Sequence, residues 1–95
     1  MSTQITYATV ELRSKQEDFM ARVYLLANVL PGKDAFIRDA LRGIKGVINA
    51  DVVTGPYDII AVIEGKDTHE VFENILKRVR KIRGINRTET YVAIE

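Results

Sequence analysis

Apolar runs along this chain predict strands and helices in an order that occurs twice. The first run, RVYLLANV (22–29), is aliphatic and β-branched and stops at a Pro-Gly turn signal, so it predicts a strand. From Asp34 the apolar spacing becomes helical, and Gly46 is expected to end that helix. VINADVV (47–53) predicts a second strand, which completes a strand–helix–strand unit.

The second unit follows the same order. It starts with the strand DIIAVIEG (58–65) and ends with the strand TETYVAIE (88–95). Asp67 is placed to cap the intervening helix, with Glu70 completing a capping box, and Gly84 is expected to stop it. The apolar stripe of this helix consists of Val71, Ile75, Val79 and Ile82.

A shift of 38 positions relates the two units. Residues 37–47 fall on 75–85, so the apolar stripes and the closing glycines of the two helices coincide. The run 23–26 correspondingly falls near 61–63. Two such units, joined by a hairpin around 54–57, predict an α+β fold of the ferredoxin-like βαββαβ type, an antiparallel sheet with both helices on one face.

The predicted central strands are apolar on both faces. Tyr24 and Leu25 point in opposite directions, as do Ile60 and Ala61, although a sheet covered on one face should alternate apolar and polar residues. We therefore expect the second face to pack on the sheet of an identical subunit, giving a dimeric α/β barrel. The segment ITYATVEL (5–12) is expected to form an extra strand that extends a sheet or crosses to the partner.

Composition narrows the possible functions. Ninety-five residues with a net charge of +1 predict one domain without a general affinity for polyanions. The chain has no cysteine and one histidine, His69, which excludes disulfides, thiolate catalysis and Cys- or His-rich metal sites. His69 is interpreted as an exposed helix residue. With no secretory signal and no apolar run long enough for a membrane span, we expect a cytoplasmic protein without metal or cofactor.

A basic cluster marks the end of the second predicted helix. It can be interpreted as a solvated face that complements the helix dipole, as a nucleic-acid surface, or as an oligomer contact. The first interpretation is favoured because acidic residues begin this helix and no aromatic platform accompanies the basic residues. The cluster consists of Lys77, Arg78, Arg80, Lys81, Arg83 and Arg87.

The hairpin VVTGPYDII (52–60) carries more polar chemistry than a turn requires. Asp58 can cap the turn, or it can receive the cation of a ligand beside the exposed backbone of Gly55. Thr88 and Thr90 lie two apart on the last predicted strand, so their hydroxyls share a face; strand propensity alone could also explain them. A carboxylate, a glycine amide and two hydroxyls together suit a small zwitterion.

Residues 22–95 resemble the effector-binding domain of the Lrp/AsnC transcriptional regulators, the domain for regulation of amino-acid metabolism. VTGPYDII, followed some thirty residues later by GINRTETYV, carries most of this resemblance. The resemblance implies a domain that dimerises through its sheets and assembles into an octamer or decamer, binding amino acids or related metabolites between dimers. It nominates five ligand-binding residues: Gly55, Tyr57, Asp58, Thr88 and Thr90.

The match leaves only an N-terminal arm, 1–21, before the ligand-binding domain, 22–95. We therefore expect no helix-turn-helix domain and no direct DNA binding. We also expect no enzyme activity, because the strand interiors are aliphatic. The predicted function is an amino-acid-binding module that regulates transcription alone or with full-length Lrp/AsnC partners. Two alternatives remain: a dimeric ferredoxin-like enzyme acting on a small organic substrate, or nucleic-acid binding through the basic second helix.

Overall fold

The computed structural model describes residues 21–94. The predicted strand 5–12 therefore lies outside the described residues. Residues 21–94 form four strands: β1 (Ala21–Val29), β2 (Val47–Val52), β3 (Ile59–Gly65) and β4 (Ile85–Val92).

Two helices alternate with these strands. The first, α1, spans Asp34–Arg42, and the second, α2, spans 68–79. Within α2, a short α-helical turn at Thr68–Glu70 leads into the π-helical segment Val71–Ile75, and Leu76–Val79 is α-helical again. In the part of the chain from 21 to 94, neither helix is long and apolar enough to cross a membrane.

All neighbouring strands of the sheet are antiparallel, in the order β2-β3-β1-β4. This order, with two helices between strand pairs, is the predicted ferredoxin-like βαββαβ fold. β1 and β3 lie at the centre and pair through the register Leu25 with Ala61. Within residues 21–94, β2 and β4 form the two edges.

One face of the sheet forms the core with the helices. Alternate residues of both central strands are fully buried, including Leu25 in β1 and Ile63 in β3. The helices contribute buried side chains at the predicted positions, among them Ile37 and Leu41 in α1 and Ile75 in α2. At about 1.5–3 kcal/mol for each large aliphatic side chain, this face supplies the main stabilising free energy of the domain.

The predicted repeat is present, with a different shift in its central strands. Val29 pairs with Ile85, and Ile63 pairs with Val47, so these two pairs are equivalent. Val47 and Ile85 are 38 residues apart, but Val29 and Ile63 are only 34 apart. The predicted correspondence of 23–26 with 61–63 is thus wrong by four residues, because the second unit contains an extra helical turn.

The extra helical turn of α2 explains its π-helical segment, Val71–Ile75. Val71, Ile75 and Val79 are buried at intervals of four residues, whereas a regular α-helix has 3.6 residues per turn. A widened turn keeps residues spaced in this way on one face.

One glycine in each unit lies in the turn before the second strand and packs against the helix of the other unit. Gly46 has φ +104°, and a Cβ there would lie 2.5 Å from Ile75 Cδ1. Gly84 has φ +105°, and a Cβ there would lie 2.9 Å from Ile37 Cδ1. Each glycine therefore packs against the helix of the other unit.

Several predicted boundaries are corrected. α1 ends at Arg42, and α2 ends at Val79, so Gly46 and Gly84 belong to the turns that lead into the next strands. β4 starts at Ile85, three residues before its predicted start, because an apolar residue that follows the turn can pair at once with β1.

The cap of α2 forms in part as predicted. The Asp67 carboxylate accepts the Glu70 N–H at 2.8 Å, while the Glu70 carboxylate accepts the N–H of Lys66 at 2.7 Å. In a standard capping box, the Glu70 carboxylate would instead accept the N–H of the capping residue, Asp67.

The second face of the sheet, which we call the open face, has no covering element among residues 21–94. Leu26 and Val62 are half-buried at its centre, and Ile60 is 37% exposed. Arg22 and Glu64 form an ion pair on this face. The open face is thus aliphatic at its centre and polar at its margin.

Candidate functional site

The predicted hairpin connects β2 to β3 at one end of the sheet. Its neck is closed by the Val53 N–H, which donates to the Asp58 carbonyl at 2.8 Å. Gly55 has φ +140°, and no atom of the described part of the chain lies within 4 Å of the position of a Cβ. A glycine is therefore required there by backbone conformation, and the space beside it is open to a ligand.

The Asp58 carboxylate joins the hairpin to the end of β1. Its Oδ2 accepts the backbone N–H of Val29 at 2.9 Å and lies 3.5 Å from Asn28 Nδ2. The Asn28 amide also donates to the Pro56 carbonyl at 2.9 Å. Asp58 thus has a structural role, but its carboxylate contacts β1 and not its own turn, which was the alternative considered from the sequence. Among hydrogen bonds within residues 21–94, both that reach this carboxylate use Oδ2, which leaves Oδ1 for a ligand.

Thr88 and Thr90 share a face, as predicted. They stand opposite Ala27 and Leu25 of β1, two residues whose side chains belong to the core. Both threonines therefore lie on the helix side of the sheet. They are nevertheless exposed, because β4 is an edge strand that the helices cover incompletely.

Tyr57 contacts a polar cluster on the open face. The Arg87 guanidinium lies 5.7 Å from the Tyr57 ring centroid and 4.0 Å from the Glu89 carboxylate. The Tyr91 hydroxyl donates to Glu89 at 2.8 Å. Hydrogen bonds from Tyr91 and Tyr57, with the nearby Arg87, lower the pKa of Glu89. Partial burial and the Glu89 carboxylate raise the pKa of Tyr57.

The five predicted residues are thus brought to one region but not into one pocket. Asp58 and Thr88 both neighbour the Ala27–Asn28 end of β1, so the backbones of β3 and β4 are about 10 Å apart there. The hairpin residue Tyr57 reaches the open face, whereas Thr88 lies on the helix side. One chain alone therefore presents the predicted residues as two separate groups.

The helix side of β4 contains a cleft. A cavity of about 190 Å³ lies between the end of α2 and the start of β4. Its lining includes Val79, Arg80, Ile82, Ile85, Arg87 and Thr88. Thr88 is the one predicted site residue in this lining.

All six residues of the predicted basic cluster are exposed. Within residues 21–94, ion pairs involve only Lys77, with Glu73 at 3.6 Å, and Arg87, with Glu89. The remaining cations are solvated in this part of the chain. His69 is exposed in the first turn of α2, as predicted.

Sequence reasoning missed two residues of this region. Asn28 fixes the hairpin, and its only signal was a polar residue at the end of an apolar strand. Arg80 was assigned to the solvated basic face, although the repeat pairs it with Arg42 at the end of the first helix. That correspondence was the available signal that Arg80 faces the edge strand and lines the cleft.

The fold places this chain in the class of ferredoxin-like α+β domains. A family model described as the Lrp/AsnC ligand binding domain matches residues 7–95. The chain therefore belongs to the Lrp/AsnC ligand-binding domain family, as its resemblance to that family predicted. The family identifies it as a regulatory small-molecule-binding module.

Solved structures of similar proteins agree in fold. A hypothetical protein from Pyrococcus horikoshii is 28% identical with a TM-score of 0.74, and the match covers 79% of this chain and 90% of that one. A protein from Thermus thermophilus is 25% identical with a TM-score of 0.73, covering 79% and 94%. E. coli AsnC is 19% identical with a TM-score of 0.70, covering 96% of this chain and 62% of AsnC. No curated protein matches the sequence.

Proposed function

We propose that this protein binds an amino acid, or a closely related metabolite, and acts in transcriptional regulation of amino-acid metabolism. One observation carries the proposal. Two segments thirty residues apart, the hairpin at 54–58 and the strand at 88–90, meet at the same end of the sheet with only β1 between them. The family supplies the regulatory context. A solved regulator from Neisseria meningitidis, 16% identical with a TM-score of 0.60, was determined in complex with L-Met.

The hairpin half-site suits the ammonium end of such a ligand. Asp58 retains a carboxylate oxygen while its other oxygen holds the backbone of β1. Gly55 leaves open space beside it, and Tyr57 provides an aromatic wall. An ammonium group beside a carboxylate gains a charge-assisted hydrogen bond.

Thr88 and Thr90 form the second half-site on the other face of the sheet. Because the two halves face apart in one chain, a complete site requires the hairpin of one copy beside the β4 strand of another. This favours an oligomer, in which a dimer built through the open face assembles into an octamer or decamer. Full-length Lrp/AsnC regulators are the corresponding heterologous partners.

The open face supplies the first contact of that assembly. Its centre is aliphatic and its margin charged, which is the distribution found at protein interfaces. Leu26→Glu would place a charge at this centre and should convert the dimer into monomers. Light scattering would measure this, and an unchanged mass would reject the open face as the interface.

The ligand can be identified by thermal shift against the twenty amino acids. A ligand at about 100 times its Kd stabilises the native state by about 2.7 kcal/mol, a shift of several degrees in a domain of this size. Asp58→Asn is the informative variant, because its amide oxygen can still accept the Val29 N–H while the negative charge is lost. It should abolish the shift and keep the melting temperature of the free protein close to wild type.

Asp58→Ala serves as the comparison. It removes both functions of the carboxylate, so it should also destabilise the free protein by about 1–3 kcal/mol through the unpaired Val29 N–H. An Asp58→Asn protein that still responds to the same amino acid would refute the ammonium site.

The exposed basic cluster at and beyond the end of α2 favours one second candidate, nucleic-acid binding. That candidate requires DNA affinity that falls steeply with salt. Fluorescence anisotropy with a short duplex at two salt concentrations tests it. No comparable observation supports an enzyme, because the centre of the open face is aliphatic.

A further inference from the structure

The cleft beside β4 differs from its counterpart in the first unit. The shift of 38 residues that relates Val47 to Ile85 also relates Arg42 to Arg80 and Ala50 to Thr88. The two units therefore place an arginine at the end of each helix and a small side chain on the edge strand opposite it.

In the first unit, the arginine closes this position. Arg42 Nε donates to the Ala50 carbonyl at 2.9 Å, and its terminal nitrogen lies 3.5 Å from Asp51 Oδ1. The guanidinium thus binds the edge strand directly. Ala50 is fully buried beneath it.

In the second unit, the corresponding position is open. Arg80 lines the cavity of about 190 Å³ together with Thr88, and within residues 21–94 it makes no hydrogen bond to β4. Glu89, which corresponds to Asp51, is instead occupied by Tyr91 and Arg87. Among the described residues, neither the Arg80 guanidinium nor the Thr88 hydroxyl has a partner that would keep it from a ligand.

The lining also defines the chemistry of that ligand. Val79, Ile82 and Ile85 make part of the lining apolar. Its hydrogen-bond donors are Arg80, Asn86, Arg87 and Thr88, and the Arg87 guanidinium already lies 4.0 Å from the Glu89 carboxylate. None of the lining residues within 21–94 is acidic. The cleft therefore favours an anion with an aliphatic chain, and it offers no counter-charge to an ammonium group.

We infer that this cleft binds the carboxylate of a small aliphatic acid, with Arg80 and the Thr88 hydroxyl on the carboxylate and the aliphatic chain on the apolar residues. A guanidinium forms paired, charge-assisted hydrogen bonds with a carboxylate. The volume equals that of about six waters, which suits a chain of roughly this many heavy atoms. The inference rests on the proposed function, because it takes the bound acid to be the regulatory ligand itself or the carboxylate end of that ligand.

The test compares isocaproate, which is leucine without its amino group, with its neutral amide, isocaproamide. Titration calorimetry on the full chain should detect isocaproate and not the amide. Arg80→Gln should weaken isocaproate binding by about 10- to 100-fold, the effect of losing a charge-assisted hydrogen bond. In NMR titrations, the methyl signals of Ile82 and Ile85 should shift with the acid.

Two matched variants control for charge and for position. Arg78→Gln removes a neighbouring cation that does not line the cleft, and Arg42→Gln removes the equivalent arginine of the first unit. Both should bind isocaproate like wild type. An equal loss in Arg78→Gln, equal binding of the amide, or full binding by Arg80→Gln would each overturn the inference.

The proposed amino-acid site and the cleft can fail separately. If Asp58→Asn still binds the amino acid, the ammonium site is refuted. Isocaproate binding that depends on Arg80 would still support the cleft in that case. Isocaproate that fails to bind wild type at tens of millimolar would refute the cleft and leave the Asp58 test unaffected. Acetate that binds as tightly as isocaproate would show that the aliphatic chain is not recognised, and it would overturn the stated ligand class.

Discussion

The two βαβ units share a backbone plan but differ at the end of the helix. Each unit has an arginine there, a bulge in its edge strand and a closing glycine. In the first unit, Arg42 binds the carbonyl of Ala50. In the second, Arg80 lines an open cleft beside Thr88. Duplicated architecture can therefore retain a structural role in one copy and leave the equivalent side chain available for binding in the other.

The largest expected effect concerns the closing glycines, Gly46 and Gly84, which the two units share. Gly46→Ala should destabilise the domain by about 2–5 kcal/mol, since an L-residue at φ +104° costs about 1–2 kcal/mol and overpacking against Ile75 costs about 1–3 kcal/mol more. Gly84→Ala should cost somewhat less, because its nearest contact is longer. Urea denaturation measures both changes.

Gly32→Ala is the control for backbone strain. Gly32 has φ +81° but nothing within 4 Å of a Cβ, so only the backbone cost of about 1–2 kcal/mol applies. If all three substitutions cost the same, the reciprocal packing of the two glycines against the opposite helices has no energetic role.

A second substitution sharpens this comparison. Ile75→Val removes the Cδ1 that lies 2.5 Å from the Cβ of Gly46→Ala, leaving the next contact at 3.1 Å. The double variant should be more stable than the sum of the single changes predicts, by about 1 kcal/mol. Additive free energies of unfolding would show that the strain at Gly46 lies in the backbone alone.

The two arginines should differ in their effect on stability. Arg42→Gln loses a hydrogen bond to the edge strand and should cost about 0.5–1 kcal/mol, a modest value because the side chain is half exposed. Arg80→Gln should leave the free energy of unfolding unchanged. Equal costs would mean that both arginines bind their strands in solution, and the difference between the units would disappear.

The smallest effect concerns Glu89, the counterpart of Asp51. Arg42 contacts Asp51 in the first unit, whereas Tyr91 and Arg87 contact Glu89 in the second. Its pKa is lowered in the folded state by Tyr91, Tyr57 and Arg87, so its contribution to stability is present above the unfolded pKa and is lost as pH falls through the folded pKa. The difference in melting temperature between wild type and Glu89→Gln should therefore be largest above about pH 4.3 and shrink in stronger acid. A difference independent of pH would exclude the charge as its cause.

Sequence alone predicted the order of elements, the core stripes and the family, because burial periodicity and turn residues are local properties. Val23, Leu25 and Ile63 could be placed in the core from apolar patterns, although those patterns did not decide which face would remain open. The family resemblance also nominated Asp58 and Thr88 from short motifs. Local patterns did not provide the exact helix ends, since the turns before Gly46 and Gly84 interrupt the helices early.

Only the tertiary structure decided how the candidate residues face one another. The bulges at Ile48 and Asn86 fix the register of the edge strands, and a shift of one residue moves every following side chain to the opposite face. That register puts Thr88 with the core side and Tyr57 beside Arg87 on the open face. The availability of Arg80, and the second role of Asp58 at the end of β1, depend on contacts across strands that are far apart in sequence.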